Sequence, residues 1–390
     1  MLRTWLILFT FSLSSVSAQT WEEVADFPGL SRDDGVGFGL LGKGYIGTGF
    51  GEGFIYTNDF FVYDPLSDQW SQIASLPGAP RQYCGSFVIA DTAYVVCGIG
   101  AEGYLNELWA YFPEEDRWEE KAPFPGSPRS SPIAFGLDEK GYVGTGRNGD
   151  EYFEDFYEYD PLKDEWRKLE DFPGGRRFEA IGLKIGNFGY AGMGRLQGET
   201  FASDWWQFNP ESKEWIRRAD FSGSAAFYAI EFDLKGKGYV AGGQDTDLNF
   251  LHSVYEYCPL EDKWSTTSPL PSEPVRGMSA FSLKGHGYIG TGLNFEFQRK
   301  ATMFRFNPDE KEKSIRLYPN PVSDRLNFLS EGPFPQQVKI YDLTGREVLS
   351  KKLTEEKRSI PTMLLTQVIY IARFDWNDGS STAEKFIKRD

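Results

Sequence analysis

Three recurring markers predict an all-β fold: a six-bladed β-propeller closed by its N-terminal strand, followed by a small Ig-like β-sandwich. Tryptophans stand at Trp21, Trp70, Trp118, Trp166, Trp215 and Trp264, spaced 48 or 49 residues apart. Tyr45, Tyr94, Tyr142, Tyr190, Tyr239 and Tyr288 keep the same spacing. The third marker is an aromatic followed two residues on by proline: Tyr63-Asp64-Pro65, Tyr111-Phe112-Pro113, Tyr159-Asp160-Pro161, Phe208-Asn209-Pro210, Tyr257-Cys258-Pro259 and Phe306-Asn307-Pro308. A fixed period of this length marks a repeat architecture whose units bury their faces only by stacking.

Each unit reads as four strands. In the first, residues 35–41 are apolar and Gly-rich, as a strand near a crowded axis must be. Gly42-Lys43 turns the chain into residues 44–49. A variable loop leads to residues 58–63, the third strand. Asp64-Pro65-Leu66-Ser67 places Pro at the second turn position. Residues 69–73 form the fourth strand and carry Trp70. The sixth unit lacks its tryptophan, since Lys313 stands near the expected place, while Trp21 is unmatched at the other end. Residues 20–24 are therefore expected to supply the last blade's outer strand, which fixes the blade number at six.

Composition agrees. Aromatics make up 16% of the 390 residues, with 42 Gly and 22 Pro, as many short strands between turns require. Formal charge is −16, and residues 19–315 hold 28 Lys+Arg against 47 Asp+Glu. An acidic body argues against nucleic acid as partner, because phosphate contacts need a basic face. Residues 1–18 read as a signal peptide: basic Arg3, apolar residues 5–11, and small Ser15-Val16-Ser17-Ala18 before Gln19. No other segment is apolar enough to span a membrane. Cys84 and Cys97 flank a tight turn at Ala90-Asp91 and form a candidate disulfide, while Cys258 stands alone.

The repeat resembles the kelch repeat over residues 20–310. The carrying features are paired small residues after an apolar strand, the Tyr-Asp-Pro marker, and the tryptophan about six residues later. A Pro connector follows, as in Phe27-Pro28-Gly29, Leu76-Pro77-Gly78, Phe124-Pro125-Gly126, Phe172-Pro173-Gly174 and Leu270-Pro271. Blade five departs with Phe221-Ser222-Gly223, and the double Gly is intact only at Gly242-Gly243. The resemblance implies a propeller of residues 19–312 but no single function, because the fold hosts binding proteins and enzymes alike. Residues 316–390 have another texture. Tyr318-Pro319-Asn320-Pro321, Leu343-Thr344-Gly345-Arg346 and terminal Lys385-Phe386-Ile387-Lys388 resemble the type A C-terminal sorting domain of the type IX secretion system of Bacteroidetes. One departure is Gln367-Val368-Ile369-Tyr370, where that family has Gly before the strand. The resemblance implies Sec export, outer-membrane passage and a secreted or cell-surface location, with the type IX machinery as partner of residues 316–390.

Candidate ligand groups lie on the face shared by the loops joining strand four to the next blade and the loops joining strands two and three. Arg32, Arg81, Arg129 and Arg177 each follow their tryptophan by 11 residues, and Arg276 follows by 12; blade five has Ala226. Arg147 and Arg195 follow second strands, and Arg176 precedes Arg177. Such guanidiniums could grip carboxylates bidentately. Repetition also suits a structural role, because Asp59, Glu107, Asp155 and Asp204 recur as partners; the blade-specific Arg147, Arg195 and Arg176 are therefore the better ligand candidates. Phe50, Tyr104, Asn148, Asp150, Gln197, Gln244, Asp245 and Phe295 add an aromatic and polar rim suited to sugars or peptides. No catalytic residue, metal or cofactor is assigned. His252 and His286 fall on different faces and should not share the copper of galactose-oxidase-like kelch enzymes, and the boxes of sialidases are absent. The leading reading is a secreted or surface binding module for a protein, peptide or glycan. The alternatives are a carbohydrate-active enzyme of the sialic-acid mutarotase or epimerase kind using the arginine face, and a structural part of a surface assembly.

Overall fold

The computed structural model describes residues 20–198, 200–224, 227–308, 314–331, 334–354, 359–366, 368–376 and 381–389. Residues 1–18, read above as a signal peptide, together with Ala226, Lys313 and Gln367, lie outside them. The chain divides into two compact units, one spanning Trp21–Pro308 and the other containing Asp309–Asp390.

The first unit is a ring of six four-stranded antiparallel blades. Blade one consists of Val36–Leu40, Lys43–Gly47, Phe60–Asp64 and Gln69–Ile73. The next four blades begin at Gly85–Ile89, Ile133–Leu137, Ile181–Ile185 and Ile230–Leu234. Blade six is built from Ser279–Leu283, His286–Gly290 and Met303–Asn307, with Thr20–Val24 as its outer strand. The closure expected from the unmatched tryptophan is what the chain adopts. Trp21 packs on Phe306 at 4.7 Å between ring centroids. The first turn differs by one residue from its expected place: Leu40 pairs with Lys43, so Leu41-Gly42 turns the chain, both with positive φ. That geometry suits a two-residue hairpin, whose twist matches the flanking strands.

The markers recur because they touch. Tyr63 lies opposite Trp70 across the ladder, and the same pair recurs as Tyr111–Trp118, Tyr159–Trp166, Phe208–Trp215 and Tyr257–Trp264. Their centroids stand 4.9–5.1 Å apart. The Gly before five of the six marker tyrosines makes room for the neighbouring blade, Ala93 standing before Tyr94. A Cβ on Gly44 would lie 2.1 Å from the Phe281 ring of blade six.

A latch joins blade to blade. Asp116 accepts from the Tyr111 hydroxyl and from the Ala74 amide, both at 2.9 Å, while the Trp118 indole donates to the Ala74 carbonyl. Asp68, Asp164 and Asp262 repeat this with Ala25, Ala122 and Ala219. Blade four breaks the pattern at all three members, with Phe208, Lys213 and Glu170, and its Trp215 indole nitrogen is buried without a partner. The three changes go together because each group of the latch needs the other two.

The candidate bond between Cys84 and Cys97 does not form; both are free thiols. The ladder ends at Gly85–Val96, and Cys97 turns into the left-handed region with φ 61°, off the pleat that would have opposed it to Cys84. Burial pushes the Cys84 thiol up to about 11 and that of Cys97 up to about 12.

The second unit has two antiparallel sheets. One orders Ser314–Tyr318, Arg325–Glu331 and Ser359–Pro361. The other orders Glu347–Lys352, Gln337–Asp342, Ile369–Asp375 and Ser381–Ile387. Leu326, Phe328, Val338, Ile340, Phe374 and Phe386 fill one shared core, the arrangement of a small sandwich.

Candidate functional site at the channel mouth

Thirteen residues after each blade tryptophan, the chain enters the channel mouth with one residue in the left-handed region. These six are Asp34, Tyr83, Ser131, Glu179, Tyr228 and Gly277, with φ between 51° and 62°. Non-Gly residues rarely hold this conformation, and here every blade imposes it. Amide-to-carbonyl bonds run around the mouth: Tyr83 to Asp34, Ser131 to Tyr83, Gly277 to Tyr228 and Asp34 to Gly277, at 2.7–3.1 Å. The backbone position is thus common to all blades while the side chain is free to vary. Tyr83 and Tyr228, from opposite blades, meet across the mouth at 5.8 Å. Asp34 and Glu179 form the other opposed pair, and Ser131 and Gly277 leave space.

The arginines fall into three groups. Arg32, Arg81, Arg129 and Arg177 are fully buried inside the blades. Arg32 donates to both oxygens of Asp59 at 2.6 and 2.9 Å, and Arg177 does the same to Asp204 at 2.7 and 2.9 Å. Arg129 holds Asp155, and Arg81 holds Glu107. Each also donates to the carbonyl that follows its second strand, those of Thr48, Cys97, Thr145 and Met193. These four clamp the incoming connector to its own blade and offer no guanidinium surface to a ligand. Arg176 stands apart on the outside, against Glu154 at 3.4 Å.

The third group lies beside the mouth. Arg147 lies over the Phe178 ring at 4.2 Å, Arg195 over Phe201 at 5.9 Å, and Arg276 over Tyr228 at 4.3 Å. The extra residue before Arg276 explains its place. Val275 occupies the clamp position, buried, and a shift of one residue along an extended chain turns the side chain to the other face.

These three cations converge on Glu179. Both its carboxyl oxygens are buried, with the Tyr228 hydroxyl as hydrogen-bonding neighbour. Burial pushes its pKa up to about 8; Arg147, Tyr228, Arg276 and Arg195 hold it from rising further. Nε of Arg147 and one terminal nitrogen of Arg276 are buried without an acceptor. Asp34 is raised well above the carboxylate range by burial and by Asp33, with Arg276 opposing. Burial raises the tyrosine hydroxyls Tyr83 and Tyr228, so both keep their protons at neutral pH.

The mouth pocket, about 130 Å³, has Glu231 at its base and shares Gly35, Cys84, Pro132 and Glu231 with the central channel of about 300 Å³. Channel-facing positions of the inner strands are small in most blades, as at Gly37, Ser86, Ala134 and Gly182. Blade five instead presents Glu231 and Asp233. Enclosure within the channel lifts Glu231 to about 8 and Asp233, whose side chain stays accessible to channel water, to about 6, the latter against the pull of Lys184. Sequence reasoning missed Glu179, Tyr83, Tyr228, Asp34 and Glu231. The available signal was the thirteenth residue after each tryptophan, the column where the repeat stops repeating. Among the described residues no cluster of three or more His, Cys, Asp or Glu could hold a metal ion, and no helix is long and apolar enough to cross a membrane.

Residues 41–172 match the KLHDC2/KLHL20/DRC7 Kelch-repeats domain, and residues 235–271 match the Kelch motif. Residues 316–389 match the Secretion system C-terminal sorting domain. The chain carries kelch repeats in a propeller fold. It carries a C-terminal sorting domain of the type IX kind, which implies that machinery as partner and export to the medium or cell surface. It is similar to N-acetylneuraminate epimerase of Pasteurella multocida (strain Pm70), 31% identical over 99 residues, 24% of this chain and 26% of that one. It is also similar to N-acetylneuraminate epimerase of Yersinia enterocolitica serotype O:8 / biotype 1B (strain NCTC 13174 / 8081), 33% identical over 90 residues, 22% of this chain and 21% of that one. The matches thus span about a quarter of those relatives' length. The solved structure of YjhT superposes with TM-score 0.63 at 16% identity, covering 72% of this chain and 95% of that one, and shares the fold.

Proposed function

We propose that the channel mouth holds a carboxylated sugar and moves protons on its anomeric hydroxyl and ring oxygen, an epimerase-type interconversion of its anomers. The observation that carries this reading is a buried carboxyl in the mouth, Glu179, raised by burial to about 8 and flanked by the guanidiniums of Arg147, Arg276 and Arg195. A concave site with a few convergent polar groups and a strongly shifted carboxyl is where a ligand is expected. Guanidiniums accept a carboxylate, and a carboxyl group poised near neutral pH suits general acid–base work. Glu179, ionised, would take the proton of the anomeric hydroxyl as the ring C–O bond breaks. The ring oxygen would take a proton from a wall hydroxyl, with Tyr83 and Tyr228 both in place. Rotation of the open chain and the reverse steps would give the other anomer. The similarity to N-acetylneuraminate epimerases supports the same substrate class. A binding module would need the arginines but leaves Glu179 without a task.

The test is anomer exchange of N-acetylneuraminate, followed by magnetisation-transfer NMR with wild type, Glu179→Gln and Arg147→Ala. Wild type should accelerate exchange, increasingly as pH approaches about 8, where Glu179 ionises. Glu179→Gln should bind the sugar yet lose the acceleration, and Arg147→Ala should lose binding. Binding without acceleration in wild type would leave a binding module in its place.

A further inference from the structure

Around the mouth the rim is one-sided. Over blades three and four it is polar: Gln197 accepts from the Tyr152 amide at 3.1 Å and donates to the Asp150 carbonyl at 3.1 Å. Over blades five, six and one it is aromatic, and several rings stand in solvent. Phe295 is 70% exposed, Phe297 75% and Phe54 80%. Such exposure on a soluble surface marks an interaction site when the rings adjoin one another and a polar cavity.

Both arms of this rim connect to the mouth by contact. On one, Arg276 lies 4.3 Å over Tyr228 and 5.7 Å over Phe250, whose ring is 5.9 Å from Phe295. On the other, Arg299 pairs with Asp33 at 2.7 Å, next to Asp34 of the mouth, and lies 5.0 Å over Phe50 and 5.8 Å over Phe54. Arg299 is itself anchored on Asp33 and the Phe50 carbonyl, so the faces of Phe50 and Phe54 are held in place rather than collapsed onto the surface. The rings are spaced among Asn294, Gln298 and Asn249, which hydrogen-bond within their own loops. Fixed flat faces among amides match the alternating apolar faces and hydroxyl edges of a pyranose chain better than a lipid or an aliphatic protein surface.

Resting on the mouth reading above, we infer that the substrate is longer than one sugar. The acidic unit with the free anomeric centre occupies the mouth, and further sugar units joined to its remote hydroxyls run over the aromatic arc of blades five, six and one. The polar rim of blades three and four stays outside this path.

The experiment compares the full chain's affinity for N-acetylneuraminate with that for a disaccharide bearing a neutral hexose on a hydroxyl remote from the anomeric carbon. The disaccharide should bind about tenfold more tightly, the gain of one well-stacked contact. Phe295→Ala or Phe54→Ala should erase that gain while shifting monosaccharide affinity less than twofold. Leu162→Ala, 86% exposed on a strand 3–4 hairpin, controls for loss of surface apolarity and should change neither. Equal affinity for both sugars overturns the extended path and leaves the mouth reading standing, with the rim then assigned to a protein surface. Absence of monosaccharide binding overturns both.

Discussion

Glu179 carries a pH dependence whose sign follows from its burial. In the unfolded chain it releases its proton near 4.5, and in the fold near 8. Below the first value both states hold the proton and the group contributes nothing to the pH slope. Between the two, only the folded state holds it, so stability falls as pH rises. Glu179→Gln should therefore melt close to wild type at pH 4.5 and above it at pH 8.5. Glu231 has the same sign but is present in both proteins and cancels in the difference. Melting curves at the two pH values decide it, and a constant offset would mean that Glu179 is not buried as a charge-sensitive group. At this scale the sequence was only partly legible. Arg147, Arg195 and Arg276 could be placed on the right face because loop positions follow from the repeat. Whether an arginine on that face is a clamp or a ligand group depends on a single-residue offset and on which carboxylate lies beside it. Periodicity does not show that for residues such as Arg176, which spends its charge outside on Glu154.

The clamp is the element that turns the connector into a fixed arm. Arg129 reaches Asp155, the Ser127 carbonyl and the Thr145 carbonyl, and lies over the rings of Phe124 and Phe153. Two residues later the chain delivers Ser131 to the mouth. The same arm delivers Asp34, Tyr83 and Glu179, so the geometry of the mouth is inherited from four buried ion pairs. Removing one partner leaves the other charged and buried, which costs ~3–5 kcal/mol in comparable sites. Arg129→Ala should lower stability by about that amount in chemical denaturation. Arg147→Ala, which loses a ring contact and no clamp, should stay within ~1 kcal/mol. A cost for Arg129→Ala no larger than for Arg147→Ala would mean that the pair with Asp155 contributes little. Blades were legible at this scale almost to the residue, because cross-strand pairs such as Tyr63–Trp70 print their own spacing into the chain. The hairpin turn slipped by one residue because Leu41, not a glycine, takes the left-handed place that Gly42-Lys43 suggested.

The whole ring depends on one pairing that is remote in sequence. Arg305 donates to Glu22, 283 positions away, while the Trp21 indole donates to the Ser268 carbonyl and the Phe27 amide to the Ala301 carbonyl. Every other blade is assembled from neighbours. Deleting residues 20–24 should leave Met303–Asn307 as an unpaired edge with exposed backbone donors and acceptors. The truncated propeller should then associate in solution, which sedimentation at rising concentration would reveal; a monomer with unchanged melting would show that the closing strand is dispensable. The blade number was legible because the missing sixth tryptophan and the surplus Trp21 account for each other. The asymmetry of the rim was not, since it arises from loops that the repeat leaves free. Chain order adds one more thing. Met303–Asn307, the partner of the first strand, is followed within about ten residues by the sorting unit, so a ring that cannot yet close has no address on it. A chain cut short before Met303 lacks both the last blade's third strand and the sorting unit.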